Sequence, residues 1–198
     1  MIEFFNSIDT ALFLFLNSLW VEWLNPVMNQ LSGELIWVPI IFYPLYLGFR
    51  NFDQKSFLIF CVFLLLAIMA SDTTSSQIIK NLSGRLRPCR QEDLVGLIHQ
   101  FGQRCGGRLG FVSSHAANAF ATVVFLVQCL DLSKRERVSV FLFPVLVSYS
   151  RIYMGVHFPG DVLGGALVGT FWGLILAWAF KNTYGAKRES SQPSPTLL

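Results

Sequence analysis

Charge is scarce in this chain. Asp, Glu, Lys and Arg make up 14% of its 198 residues, where a soluble domain carries roughly 25%. That shortage excludes an ordinary water-facing surface. With 53% hydrophobic residues and a mean hydropathy of +0.51, the composition points into a bilayer. An excess of one sign is missing too: a net charge of +3, spread along the chain, does not suit nucleic acid. Histidine is rarer still, with three in all. None of His99, His115 and His157 has carboxylate or thiolate neighbours at ligand spacing, so no metal is expected. No cleavable leader is expected either, because Met1-Ile2-Glu3 offers no basic start and no small-residue cleavage site follows the first apolar run. The first apolar segment is therefore expected to stay on the protein.

What the chain does have is apolar runs. Residues 34–49, 56–79, 138–152 and 161–180 read as spans, and 114–131 as a fifth that starts polar and turns apolar at Phe120. Some fall short of the roughly 20 residues a crossing needs, so their helices should extend into the flanks. Residues 4–24 carry Asp9, Asn17 and Glu22, and read either as a poor span or as a helix lying in the interface. The expected fold is all-α, a polytopic membrane helix bundle of five or six transmembrane helices. Residues 1–184 form one domain, and the Ser- and Pro-rich stretch 185–198 has a disordered composition. Gly165, Gly169, Gly173 and Ala177, spaced by four, make a small-residue ridge suited to close packing within the chain.

The basic residues orient the bundle. Arg50, Lys55, Lys134, Arg135, Arg137, Lys181, Lys187 and Arg188 fall on one side of the alternating spans. The positive-inside rule makes that side cytoplasmic. Lys80, Arg85, Arg87, Arg90, Arg104, Arg108 and Arg151 fall on the other, a near tie that makes sense if chemistry holds them there.

Three polar clusters sit on that outer side. In KNLSGRLRP, residues 80–88, Lys80 and Arg87 would share a face on a continuous helix, although Ser83-Gly84 is a natural break. In VSSHAAN, residues 112–118, two serines read as an N-cap, with free N–H groups and His115 in the first turn. In SRIYMGVHFPGD, residues 150–161, Arg151 ends one helix and Asp161 opens the next, with His157 four residues before it. Each cluster alone could be structural: lipid anchors, a cap, a buried hydrogen bond. Together they describe an anion pocket with a carboxylate-oriented histidine as nucleophile or base and a second histidine as its partner acid.

These clusters resemble the three-part signature of the type 2 phosphatidic acid phosphatase superfamily. That signature is Lys, six residues and Arg-Pro; Pro-Ser-Gly-His; and Ser-Arg, five residues, His, three residues, Asp. The first and third match in full. The middle motif reads Val112-Ser113-Ser114-His115, with Val for Pro and Ser for Gly. The resemblance implies catalysis through a phosphohistidine on His157, tautomer control by Asp161 and leaving-group protonation by His115. It further implies that Lys80, Arg87, Arg151, Ser113 and the backbone near Ser114 hold the phosphoryl oxygens, with no cofactor or metal.

The implied protein is a lipid phosphatase of the bacterial inner membrane with its active site at the periplasmic face. Its expected partners are the bilayer and a membrane lipid phosphate: undecaprenyl diphosphate, phosphatidylglycerophosphate, phosphatidic acid or lipid A. A phosphotransferase on the same site and a non-catalytic anion or lipid transporter are the alternatives. Transporter sites lie near the midplane, whereas these groups gather at one face. Cys61 and Cys129 fall in apolar runs and read as core. Cys89 and Cys105 share the outer loop, where a periplasmic setting would favour a disulfide over two free thiols. His99 in the same loop has no evident partner and reads as an exposed or loop-packing residue.

Overall fold

The computed structural model describes residues 2–33, 35–101 and 105–190. Glu34, Arg104 and residues 191–198 of the expected tail lie outside these. Eight α-helices run in order among the described residues: α1 Ile2–Ser18, α2 Asn25–Ser32, α3 Trp37–Asn51, α4 Gln54–Asp72, α5 Lys80–Ser83, α6 Ser114–Cys129, α7 Lys134–Tyr153 and α8 Pro159–Ser190. A π-helical turn, Thr73–Ile79, joins α4 to α5, so Gln54–Ser83 is one continuous rod of 30 residues. Helix α8 runs into the segment expected as a tail.

By length and apolarity alone, two helices among the described residues are long enough to cross a membrane, Gln54–Ser83 and Pro159–Thr183. The bent pair Glu3–Ser18 and Glu22–Ser32, kinked by 97°, makes a third if taken as one span, and Ser114–Cys129 is a shorter apolar helix. The outer surface of the bundle is apolar, with Leu58, Phe49, Leu167 and Trp178 all more than half exposed. In water such a surface would drive association; in lipid it is the expected exterior.

Helix α8 lies directly on α6, and the small-residue ridge is what permits it. A Cβ on Gly165 would fall 2.4 Å from the Ser113 carbonyl oxygen, one on Gly169 2.0 Å from that of Ala117, and one on Gly173 2.9 Å from that of Ala121. At the opposite end of the bundle Phe60, Phe125 and Phe180 form the core, with ring centroids 5.4 to 6.0 Å apart.

The N-terminal segment turns its polar residues inward. The amide of Asn17 donates to the carbonyls of Ile152 (3.1 Å) and Tyr153 (2.9 Å) at the end of α7, and accepts the His99 N–H at 2.7 Å. Asp9 accepts the Gly160 N–H at 2.7 Å. Asp9 and Asn17, two of the three residues that made 4–24 look like a poor span, therefore hold other elements. The same contacts correct the reading of His99 as partnerless. Its ring stacks on Trp20 with centroids 4.3 Å apart, and its Nε2 lies 3.0 Å from Asn25 Oδ1.

Candidate active site

The site gathers where the 85–87 segment, the start of α6 and the α7–α8 corner meet. Gly84, at φ +62°, ends α5 in the left-handed conformation, so Arg87 reaches the site from a loop and not from a shared helix face with Lys80. That loop is zipped to residues 105–110. The N–H of Arg87 donates to Arg108 O (3.2 Å) and that of Gly110 to Arg85 O (2.8 Å). Arg87 Nε donates to Leu109 O at 3.0 Å and its Nη1 to Cys105 O at 2.9 Å.

Cys89 and Cys105 are joined in a disulfide with their Cα atoms 5.9 Å apart. It closes a loop 16 residues apart in sequence, one of a size that constrains the unfolded chain by about 3 kcal/mol. The bridge also fixes the carbonyl that holds Arg87. We therefore expect Cys89→Ser to lower the thermal midpoint in detergent and to raise KM, with both effects reproduced by reductant on the wild type. A reductant-insensitive KM would show that the bridge does not support Arg87.

At the corner, Asp161 is fully buried and every oxygen is used. Its Oδ2 lies 3.3 Å from His157 Nδ1 and accepts the Phe158 N–H at 3.0 Å, and its Oδ1 accepts from Arg85 Nη1 at 2.9 Å. With Nδ1 held by the carboxylate, the tautomer and orientation of the His157 ring are set. Burial, then the positive charges of Arg151, Arg87 and Lys80, hold the His157 imidazole well below its usual range, so the ring is neutral at pH 7. The positive charges of Arg151, Arg87 and Lys80 all bear on His157, and Lys80 Nζ donates to Ser114 Oγ at 2.7 Å, one residue before His115. His115 packs beside Trp37, with ring centroids 5.5 Å apart.

The middle cluster is bound to the third through its backbone: Ser113 N–H donates to Asp161 O at 2.8 Å. Ser113 stands at the N-cap position of α6, but its side chain does not cap the helix. Its hydroxyl is instead buried without a hydrogen-bond partner among the described residues. A buried hydroxyl left so costs free energy unless a ligand completes it. The N–H groups of Ser114, His115 and Ala116 add a positive helix end. Arg151 is buried, with Nη1 donating to Ser32 O at 2.6 Å and to the Ser32 hydroxyl.

Two further residues escape a motif reading. Arg85 bridges Asp161 to Asp9 (Nη2 to Asp9 Oδ2, 2.7 Å) and lies over the Phe158 ring at 4.2 Å. Asp9 balances the arginine and holds Gly160, so α1 is built into the site. Asp9 and Arg85 are 76 residues apart, and no local spacing signals the pair.

A buried histidine–carboxylate dyad under the influence of three cationic charges, inside an apolar helix bundle, is a setting suited to phosphoryl transfer. Residues 57–184 match the family model described as PAP2 superfamily, and the chain belongs to that family: it is a membrane-integral lipid phosphatase. It is 36% identical over 197 residues to the lipid A 4'-phosphatase of Bacteroides thetaiotaomicron, covering 98% of this chain and 86% of that one. It is 29% identical over 158 residues to phosphatidylglycerophosphatase B of Bacillus subtilis, covering 74% of this chain and 70% of that one. The crystal structure of Aquifex aeolicus LpxE superposes with a TM-score of 0.64 at 25% identity, covering 85% of this chain and 94% of that one.

Proposed function

We propose that this chain removes a phosphate monoester from a lipid A-type glycolipid at the periplasmic face of the bacterial inner membrane. The observation that carries the chemistry is the buried His157–Asp161 dyad facing Lys80, Arg87 and the unpartnered Ser113 hydroxyl. Supporting the substrate class is the 36% identity to a lipid A 4'-phosphatase along almost the whole chain. The disulfide supports the periplasmic face, since such bonds persist in oxidising compartments.

In this reading a ring nitrogen of His157 attacks phosphorus as the bond to the lipid oxygen breaks. Asp161 stabilises the charge that develops on the imidazole. The phosphate's own negative charge, arriving among three cations, lets His115 carry a proton and give it to the departing oxygen. Water then attacks the phosphohistidine, with His115 taking its proton, and inorganic phosphate leaves. Lys80, Arg87, Arg151, Ser113 and the α6 N–H groups stabilise the equatorial oxygens, where the transition-state charge lies.

The test is phosphate release by the purified chain in detergent with EDTA, from lipid A, phosphatidylglycerophosphate and undecaprenyl diphosphate in parallel. The highest kcat/KM is expected on lipid A, with His157→Ala as blank. Preference for either of the other two would overturn the substrate assignment, and EDTA-sensitive turnover the metal-independent chemistry.

A further inference from the structure

Within the apolar rod that spans residues 54–83 lies one acidic side chain, the carboxylate of Asp72, between Lys55 near one end and Lys80 near the other. An acid at that depth calls for a function and a partner. Its partners form a directed chain. Lys80 Nζ donates to Ser114 Oγ at 2.7 Å, Ser114 and Ser76 share a hydrogen bond at 2.8 Å, and Ser76 Oγ donates to Asp72 Oδ1 at 3.1 Å. Asn118, one turn along α6 from Ser114, donates to the same oxygen at 2.9 Å. Because Ser76 gives its proton to Asp72, the shared bond must run from Ser114 to Ser76. Every hydroxyl in the line is then used once as donor and once as acceptor, and all point toward the carboxylate.

We propose that Ser114, Ser76 and Asp72 are a positioning relay that fixes Lys80 for phosphate binding, which rests on the functional reading above. Lys80 is a point charge on a flexible stem. Arg87 and Arg151 repel it, whereas Asp72 and Asp161 attract it. Without a tether the ammonium would swing away from the two arginines and out of the site. The relay opposes that by giving Lys80 an oriented acceptor whose polarity is backed by Asp72. The π-helical turn belongs to the device: Asp72 precedes it, Ser76 lies within it and Lys80 follows it. Such widened turns recur at functional sites, and here the turn directs all three side chains to α6. The joint is Ser114, which stands where the family's motif has Gly. The departure from the pattern is therefore what connects the phosphate-binding lysine, through α6, to an acid farther back along its own rod.

A double-mutant cycle on the full chain tests this. Ser114→Gly and Ser114→Ala should each lower kcat/KM on the lipid phosphate by about 10- to 100-fold, as a displaced binding group does. Ser114→Thr, which keeps the hydroxyl, should recover most of the loss. Lys80→Ala should cost at least as much, and adding Ser114→Ala to it should cost nothing more, because the serine acts through the lysine. Asp72→Asn should behave as Ser114→Ala does. Inorganic phosphate should raise the thermal midpoint of the wild type and do so less for Ser114→Gly, a readout independent of turnover. Full activity and an unchanged phosphate shift in Ser114→Gly would overturn the relay, as would losses that multiply in the Lys80→Ala background. Failure of the functional reading looks different: wild type and His157→Ala would release phosphate equally slowly while the phosphate shift still reported on the relay.

Discussion

Replacing His157 by Ala lowers phosphate release on the order of 10⁴-fold or more while the protein still elutes as a folded species. On the proposed mechanism the size follows from losing the nitrogen that attacks phosphorus. Removing a covalent nucleophile leaves only binding and electrostatic stabilisation, which retain a small residual rate. The three cations and the α6 N-terminus would still hold the phosphate, so KM should change much less than kcat. Folding should survive because Asp161 keeps its bonds to Arg85 and to the Phe158 N–H once the imidazole is gone. Wild-type protein quenched in alkali during turnover of labelled substrate should carry an acid-labile phosphoryl group that the variant lacks. A variant that turned over within tenfold of wild type, or that carried the same label, would remove His157 from the role of nucleophile.

Much of the site was legible because its residues lie in three compact runs with characteristic spacing. His157 and Asp161 sit four apart, and Ser113 to His115 open a helix. Their convergence needed only that each run lie at the same end of a span. What stayed hidden is long-range and single. Asp9, Asn17, Ser32 and Asp72 are polar residues that no local pattern pairs with anything, and each is unexplained until its partner appears. The partners are 76 residues away for Asp9 with Arg85 and 119 for Ser32 with Arg151. Periodicity says nothing about such pairs. Arg85 was further concealed by its position between Lys80 and Arg87, where it counts as one more outer cation. The fold shows the same division. Helical runs follow from hydropathy, but the 97° bend after α1 depends on Asn17 tying α1 to the end of α7, a contact formed only in the assembled bundle.

The Gly169→Ala substitution should be among the most damaging single-methyl additions in this chain. Its Cβ would stand 2.0 Å from the Ala117 carbonyl oxygen and 2.9 Å from the Ala117 carbonyl carbon and the Ala121 nitrogen. All three are backbone atoms of α6, so no side chain can swing aside, and the helices themselves must separate. Overpacking commonly costs about 1–3 kcal/mol, and a clash with backbone belongs at or above the upper end. The damage should not stop at stability. Helix α6 carries Ser114 and His115 at its start, α8 carries Asp161 in its first turn, and the Ser113 N–H bond to Asp161 O joins them. Moving the helices apart displaces the acid and the phosphate-binding hydroxyl relative to the nucleophile. A shift of about 1 Å in such a site costs roughly a hundredfold in rate. The control is Gly107→Ala, where an added Cβ meets nothing within 4 Å. Thermal midpoint and phosphate release measured on both variants should separate them, with Gly107→Ala near wild type in each. Equal behaviour of the two would mean that the close contact between α6 and α8 does not set the geometry of the site.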